Sequence, residues 1–342
     1  MAIRRHQENK KTFHIPHIHI ITNVDPFSFH ALLDGLNLKK TGWVIVSKSG
    51  YTVETVMQFL TILPKLKQEL GEGAIKNHVV AITEPYDNPL RILATQYNIR
   101  VLNHNPDIGG RYSVLSVVGM LPTLIAGLDA ERVRDGAKSV LLPMLAGLNL
   151  RDFPPAIGAA ISVGLYKYHD ISSSVMLAYS DRLGSLSRWY RQLWAESLGK
   201  EGKGITPIYA MGPVDQHSQL QLWLDGPKDK MFTVMGAPLA SGGAPVSVDL
   251  LKNNDDIDYL KNCTLGDLME ASRKATMQSL INKGLPVREM SLSCIDEFSV
   301  GALMMHFMLE TIFSARLLGV NPFDQPAVET GKKLIRQYLN NL

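Results

Sequence analysis

A turn rich in hydroxyl groups separates the apolar run Trp43–Val46 from the helical pattern Val53–Leu70. Its residues are Ser47, Lys48, Ser49, Gly50, Tyr51 and Thr52. At a helix N-terminus, free backbone N–H groups and the helix dipole favour an anion, and hydroxyl groups add donors. The turn is therefore a candidate phosphate site, although it lacks the GxxxxGK[ST] pattern of a Walker A loop. Helix capping by Ser or Thr is the alternative.

An arginine follows a pair of glycines later in the chain, at Gly109-Gly110-Arg111, just before an apolar helical pattern. Glycines allow the backbone to approach a ligand closely. A guanidinium group at such a turn could fix a phosphate or an oxyanion. The alternative is an arginine that extends from a loop into solvent.

A glutamine and a glutamate, Gln192 and Glu196, lie four positions apart and therefore share one face of a predicted helix. A carboxylate close to Leu193 and Trp194 would be partly desolvated, which would raise its pKa toward that of a working base. The alternative is a solvated glutamate on a helix surface.

The histidine His217 follows a turn, and its near-neutral titration suits proton transfer. A structural role is the alternative.

Lys332 lies in the last helical pattern, which alone predicts a surface helix. His14, His17 and His19 form a second group, but no cysteine or carboxylate joins them, so the sequence predicts no zinc site.

The composition narrows the class of protein. A length of 342 residues favours two domains. Hydrophobic residues make up 45% of the chain and charged residues only 20%, and this composition predicts a large buried core. A net charge of +3 argues against a nucleic-acid-binding protein, and no uninterrupted apolar stretch is long enough to span a membrane. Cys263 and Cys294 stand apart, which predicts reduced thiols in a cytoplasmic protein.

The elements that position these residues alternate between strands and helices. Predicted strands of the first half are His19–Val24, Trp43–Val46, His78–Thr83 and Ile99–Leu102, with helices at Phe27–Leu38, Val53–Leu70 and Pro89–Tyr97. Predicted strands of the second half are Ser174–Tyr179, Thr206–Met211 and Met231–Met235, with helices at Asp181–Gly199, Leu265–Lys283, Asp296–Leu318 and Gln325–Leu339. This alternation predicts an α/β fold with parallel sheets flanked by helices and a helical C-terminal tail.

The apolar, proline-containing stretch Val140–Pro155 is the predicted boundary between two similar α/β modules. The sequence thus predicts a first domain over residues 1–150 that carries the phosphate turn. A second domain follows over residues 151–320, with Glu196 and His217, and the C-terminal helix lies over residues 321–342.

Five segments, taken in order, resemble the phosphoglucose isomerase family. They are Ser47–Thr55, Gly109–Ser113, Trp194–Lys200, Asp215–Ser218 with Asp225-Gly226, and Phe323–Pro326. The resemblance covers roughly residues 19–338, and the ordered set is far more specific than any one segment. It implies two sugar-isomerase (SIS) modules, each a parallel sheet flanked by helices.

The resemblance also implies interconversion of glucose 6-phosphate and fructose 6-phosphate through a cis-enediolate, without a metal or an organic cofactor. The residues implied to contact the substrate are Ser47, Lys48, Ser49 and Thr52 at the phosphate, together with Gln192 and Gln325. Glu196 would move a proton between C2 and C1, and Arg111 would stabilise the enediolate. His217 and Lys332 would assist ring opening. A homodimer is implied, in which His217 reaches the neighbouring subunit's site.

One family feature is missing from this chain. The family carries a Gly-x-Gly-Gly-Ser-type turn on the first strand of its first module, and nothing similar precedes Ser47. We therefore expect an incomplete first module, weaker substrate binding, and lower stability or a reliance on dimer contacts. A truncated gene, a shortened natural enzyme and a decayed homologue are equally open. The alternative functions are a sugar-phosphate-binding SIS protein without turnover and an isomerase that also accepts mannose phosphate.

Overall fold

The computed structural model describes residues 16–247 and 255–341. Within these residues the chain divides into two compact units, with the division between Ala130 and Glu131. We call residues 16–130 the N-terminal unit and the described residues from 131 onward the C-terminal unit.

The N-terminal unit contains a three-stranded parallel sheet in the order β1-β2-β3. Its elements are α1 Pro26–Gly35, β1 Trp43–Val46, α2 Val53–Leu70, α3 Ile75–His78, β2 Val79–Thr83, α4 Pro89–Gln96, β3 Arg100–Asn103 and α5 Val117–Ile125. Side chains of α2 and α4, among them Phe59, Leu66 and Leu90, are buried in one core with strand residues such as Ala81. Because the strands are parallel, their carboxyl ends lie at one edge, where the phosphate turn begins.

The C-terminal unit contains a four-stranded parallel sheet in the order β5-β4-β6-β7. Its elements are α6 Ala130–Leu145, α7 Pro154–Tyr168, β4 Ser173–Ala178, α8 Asp181–Leu198, β5 Thr206–Met211, α9 Val214–Ser218, α10 Leu220–Asp225, β6 Lys230–Gly236, α11 Leu265–Asn282, β7 Val287–Ser291, α12 Glu297–Leu318 and α13 Glu329–Leu339. All seven residues of β6 are buried, as expected for a strand covered on both faces. Both units therefore have the predicted α/β architecture with parallel sheets and flanking helices.

One predicted strand is wrong, and one observed strand is absent from the prediction. Residues 19–24, predicted as a strand, have no regular secondary structure and are mostly exposed, because no described strand pairs with them. The strand β7 has no counterpart in the prediction. Its sequence Val287-Arg288-Glu289-Met290-Ser291 contains two charged residues, so it lacks the apolar run that marked the other strands.

The predicted boundary stretch contains the end of α6 and the start of α7. Pro143 lies inside α6, and Pro154 and Pro155 begin α7, a position that proline favours because its missing N–H is not needed there. The division between the two units lies between Ala130 and Glu131, at the start of α6 and about 20 residues before the predicted bound at residue 150. The assignment of three functional domains with bounds at residues 150 and 320 stays a prediction.

The long helix α12 is apolar and long enough to cross a membrane by length and composition alone, but it is mostly buried inside the protein. It packs against α7 and α8. Its Glu310 is fully buried and pairs with Arg288 and His306. These features are typical of the central helix of a folded domain.

Candidate active site

The phosphate turn is closed by its own hydroxyl groups. Ser47 is buried, and its Oγ donates a hydrogen bond to Oγ1 of Thr52 over 2.9 Å. The Thr52 backbone N–H lies 3.4 Å from the same Ser47 Oγ, and Ser49 Oγ accepts a hydrogen bond from the Tyr51 N–H at 3.2 Å. The first and last residues of the turn are thus held together, while Thr52 is exposed.

Thr52 is the N-cap residue of α2, but its side chain makes no capping hydrogen bond in the described structure. The capping alternative is therefore not realised by Thr52. The N–H groups at the start of α2 retain the capacity to bind an anion at this end of the helix. An acidic residue in the first turn, Glu54, is exposed.

Arg111 lies in a short 3₁₀ segment, Gly110–Leu115, that follows β3. Hydrogen bonds from the Tyr112 N–H to the Gly109 carbonyl (3.0 Å) and from Ser113 Oγ to the Gly110 carbonyl (2.7 Å) stabilise the turn. Only 5% of Arg111 is exposed, and its guanidinium lies 5.6 Å from the centre of the Tyr112 ring. The alternative of an arginine that extends into solvent is therefore wrong.

The side chain of Lys48 connects the phosphate turn to its surroundings. Its Nζ donates a hydrogen bond to the Pro106 carbonyl at 2.8 Å and lies 3.6 Å from Oε1 of Glu84. Both partners belong to the segments that follow the neighbouring strands β2 and β3. The parallel sheet thus brings three chain segments together at one edge of the N-terminal unit.

In the C-terminal unit, α8 presents Gln192 and Glu196 on one face, as predicted. Gln192 Nε2 donates a hydrogen bond to Glu196 Oε1 over 2.9 Å. The indole of Trp194 is fully buried, packs against Tyr190, and donates a hydrogen bond to the Ile205 carbonyl at 3.1 Å. Trp194 therefore anchors α8 in the core, while the glutamine orients the carboxylate.

His217 lies in the short helix α9, just after the turn at Gly212-Pro213. The adjacent Asp215 fixes this turn. Its carboxylate accepts hydrogen bonds from the Met211 N–H (2.6 Å), Ser218 Oγ (2.7 Å) and Gln219 Nε2 (2.9 Å). Burial would by itself raise the pKa of Asp215, but these hydrogen bonds outweigh it and lower that pKa.

The last predicted site residues lie near the C-terminal helix. Gln325 is exposed and precedes a 3₁₀ turn, and Lys332 is exposed in α13, where its Nζ donates a hydrogen bond to Glu329 Oε1 at 2.7 Å. Lys200, two residues after the last residue of α8, pairs with Asp324 at 3.0 Å. The sequence alone assigns no role to Asp215, Lys200 or Asp324, although all three lie inside the motifs that carry the family resemblance.

Within each unit the structure therefore brings some predicted residues together. Ser47 and Thr52 are in direct contact, as are Gln192 and Glu196. Lys332, by contrast, is engaged by Glu329 on its own helix rather than by another predicted site residue.

The chain is similar to known proteins over most of its length. A family model for phosphoglucose isomerase matches residues 1–211. The glucose-6-phosphate isomerase of Rubrobacter xylanophilus is 36% identical over 322 residues, which are 93% of this chain and 73% of that protein. A glucose-6-phosphate isomerase of Thermus thermophilus is 35% identical over 328 residues, which are 94% of this chain and 77% of that protein.

Solved structures support the fold. A crystal structure of a hypothetical protein from Thermus thermophilus superimposes with a TM-score of 0.86 at 35% identity, over 94% of this chain and 77% of that one. The glucose-6-phosphate isomerase of Chlamydia trachomatis superimposes with a TM-score of 0.75 at 23% identity, over 93% of this chain and 63% of that one. This second similarity concerns the fold alone.

Proposed function

The chain belongs to the phosphoglucose isomerase family, and we propose that it interconverts glucose 6-phosphate and fructose 6-phosphate. It is an enzyme of the isomerase class. The observation that carries the proposal is the Glu196 carboxylate, which is held by the Gln192 amide at 2.9 Å. A base that moves a proton between adjacent carbons must be held in one orientation, and this hydrogen bond supplies that restraint.

The phosphate group of the substrate binds at the turn after β1. Ser49 and Thr52 donate hydrogen bonds through their hydroxyl groups, and Ser47 orients Thr52 by donating its one hydroxyl proton to Thr52 Oγ1. The start of α2 adds backbone N–H groups and the helix dipole. Lys48 belongs to the same loop. The closure of this turn by the Ser47–Thr52 hydrogen bond supports the proposal, because a preformed turn needs little reorganisation on binding.

The reaction begins with ring opening, assisted by His217 and Lys332, which supply and remove protons at the ring oxygen and the anomeric hydroxyl. Glu196 then removes the proton on C2 of the open-chain aldose. The C–H electron pair forms a double bond between C1 and C2, and the C1 carbonyl oxygen takes the negative charge. Arg111 stabilises this cis-enediolate, as an oxyanion-hole donor would.

Glu196 next delivers the proton to C1, while the proton of the C2 hydroxyl passes to the C1 oxygen and C2 becomes the ketone carbon. No redox partner is needed, because the aldehyde carbon is reduced as its neighbour is oxidised. Gln192 and Gln325 contact the substrate. A homodimer, in which His217 is contributed to the neighbouring site, and a cytoplasmic location are further parts of the proposal.

A coupled assay that converts fructose 6-phosphate to glucose 6-phosphate tests the proposal. We expect the wild-type chain to turn over, and Glu196→Gln to lose about 100-fold or more in kcat. The exposed Glu201, which pairs with Lys203 at 3.3 Å, provides the control Glu201→Gln, which we expect to match the wild type.

The double variant Ser49→Ala/Thr52→Ala tests the phosphate turn. We expect it to raise KM with little change in kcat, because it removes binding that substrate and transition state share. A wild-type chain that binds sugar phosphates without turnover would overturn the proposed reaction in favour of a sugar-phosphate-binding protein. An unchanged KM in the double variant would remove these hydroxyls from the site.

A further inference from the structure

We propose that Lys48 is a positioning residue whose ammonium group fixes the phosphate turn against the segment that carries Arg111, rather than a ligand of the substrate phosphate. This inference rests on the proposed function, since it concerns how two parts of that site are held.

The ammonium group is engaged by residues outside its own turn. Its Nζ donates to the Pro106 carbonyl at 2.8 Å, 58 positions along the chain, and lies 3.6 Å from Glu84 Oε1. Glu84 is only 20% exposed at its side chain. A carboxylate at this distance satisfies the lysine charge and would repel a phosphate dianion that approached the same ammonium group.

The backbone of Lys48 also makes hydrogen bonds to the neighbouring strand β2 and the residue that follows it. Its carbonyl accepts hydrogen bonds from the Glu84 N–H (2.9 Å) and from Thr83 Oγ1 (3.1 Å), and Thr83 is fully buried. Lys48 thus contacts the segments after both other strands of the sheet, one through its carbonyl and the other through its ammonium group.

A second cationic side chain, Arg91, also connects Glu84 to the end of β3. Arg91 donates through Nε and Nη2 to the Glu84 carbonyl (3.0 and 2.7 Å) and through Nη2 to Asn103 Oδ1 (2.7 Å). Lys48 and Arg91 therefore both connect Glu84, just after β2, to residues at or shortly after the end of β3. Together they form a brace, which we define as Lys48, Glu84, Arg91 and Asn103.

Lys48 of the brace contacts the turn that precedes Arg111 in the chain. Pro106 belongs to this turn, in which the Asp107 N–H donates to Asn105 Oδ1 (2.9 Å) and the Ile108 N–H to the Asn105 carbonyl (3.2 Å). We expect a displacement of Pro106 to shift Gly109, Gly110 and Arg111, which follow it within five residues. Because a misplacement of about 1 Å can cost about 100-fold in rate, the position of Lys48 Nζ bears on the enediolate step.

The variant Lys48→Met tests this role, because methionine keeps much of the length of the side chain and removes only the charge and the donors. We expect kcat to fall about tenfold or more, while the inhibition constant of inorganic phosphate changes less than about twofold. Lys65→Met is the matched control, since Lys65 forms an exposed ion pair with Asp34 at 2.9 Å in the same unit. We expect this control to match the wild type.

Arg91→Gln probes the other side of the brace, and the double variant Lys48→Met/Arg91→Gln completes a cycle. Two residues that act through one brace give non-additive losses in kcat, whereas independent roles give additive ones. A rise in the inhibition constant of inorganic phosphate for Lys48→Met, with kcat unchanged, would show Lys48 to be a phosphate ligand and would overturn the inference.

Amide hydrogen exchange gives a readout that does not depend on turnover. We expect Lys48→Met to speed exchange in a peptide over residues 104–112, and Lys65→Met to leave it unchanged. If the wild-type chain proved inactive, the proposed reaction would fail while this measurement still decided whether Lys48 holds the turn. Unchanged exchange in Lys48→Met would overturn the inference.

Discussion

Lys200 Nζ lies 3.0 Å from Oδ1 of Asp324, and this ion pair joins the end of α8 to the segment that leads into α13. The Lys200 ammonium also donates to the carbonyls of Ser197 and Asn321, so all three of its donors have partners. The hydrogen bond from Lys200 holds the pKa of Asp324 below its ordinary value. The helix that carries Glu196 is thereby tied to the residue before Gln325.

We expect Lys200→Met to lower kcat about tenfold or more, because the segment around Gln325 loses its attachment to α8. Steady-state kinetics measure kcat, and a thermal unfolding curve separately measures any loss of stability. Lys203→Met is the control, since Lys203 pairs with Glu201 at the surface at 3.3 Å. Equal kcat in Lys200→Met and Lys203→Met would show that the ion pair with Asp324 has no positioning role.

The phosphate turn depends on a glycine. Gly50 has a φ of 70°, and a Cβ atom placed on it would lie 1.8 Å from Oδ1 of the buried Asn88. We expect Gly50→Ala to raise KM, because it must displace Asn88 and costs roughly 1–2 kcal/mol in backbone strain. Gly71→Ala is the control, with a φ of 79° and no atom within 4 Å; it should destabilise the protein without a change in KM. A wild-type KM in Gly50→Ala would contradict this prediction.

A buried ionic network supports the C-terminal unit. Arg288 Nη1 lies 2.8 Å from Oε1 of the fully buried Glu310, whose Oε2 lies 3.1 Å from His306 Nε2. Burial would raise the pKa of Glu310, but the Arg288 charge and the His306 hydrogen bond outweigh it and lower that pKa. The negative charge of Glu310 is therefore retained inside the protein.

We expect Arg288→Met to destabilise this unit by about 3–5 kcal/mol, because it leaves a buried carboxylate without its counter-charge. The double variant Arg288→Met/Glu310→Leu should cost clearly less than Arg288→Met alone. Urea unfolding measures both free energies. A double variant that is as unstable as Arg288→Met, or less stable, would contradict the prediction.

The N-cap residue of α12, Asp296, makes the stability of the folded protein depend on pH. Asp296 accepts hydrogen bonds from the Ser299 N–H (2.9 Å) and Arg132 Nη2 (2.6 Å). Burial would raise its pKa, but these bonds and the Arg132 charge lower it to about 2 from 3.8. Since the folded-state pKa is below the unfolded one, the stabilisation is complete above pH 3.8 and is lost as the pH falls toward 2.

The variant Asp296→Asn keeps a capping oxygen but removes the charge. We therefore expect it to lower the free energy of unfolding by about 1 kcal/mol at neutral pH, after allowance for solvent screening. The difference in the free energy of unfolding between this variant and the wild type should shrink as the pH falls below about 4. Urea unfolding over a range of pH measures it. A difference that is constant with pH would show that the charge of Asp296 does not contribute.

The strands that are apolar throughout can be predicted from the sequence. A strand that is buried on both faces consists of a continuous run of apolar residues, and such a run is visible in a single sequence. Trp43–Val46 is apolar throughout and has the predicted bounds, and so does the helix Val53–Leu70. The prediction fails where pairing decides the outcome. The residues 19–24 are suited to a strand but have no described partner, and β7 is a strand although two of its residues are charged.

In the candidate site, too, some features can be predicted from the sequence and others depend on tertiary contacts. Residue types and motif order identify the turn Ser47–Thr52 and the helical face of Gln192 and Glu196. The burial of Arg111 and the partners of Lys48 and Lys200 depend on contacts between residues far apart in sequence. Side chains inside a recognisable motif can therefore have their roles set by the neighbouring segment, which the motif itself does not contain.

The incorporation of solvent deuterium tests the central claim most directly. Fructose 6-phosphate is incubated in D₂O with the wild-type chain or with Glu196→Gln, and deuterium at C2 of the glucose 6-phosphate formed is measured by mass spectrometry. We expect deuterated product from the wild type and a loss of about 100-fold or more in its rate of formation with Glu196→Gln. Deuterated product formed at the wild-type rate by Glu196→Gln would contradict the assignment of this carboxylate as the base.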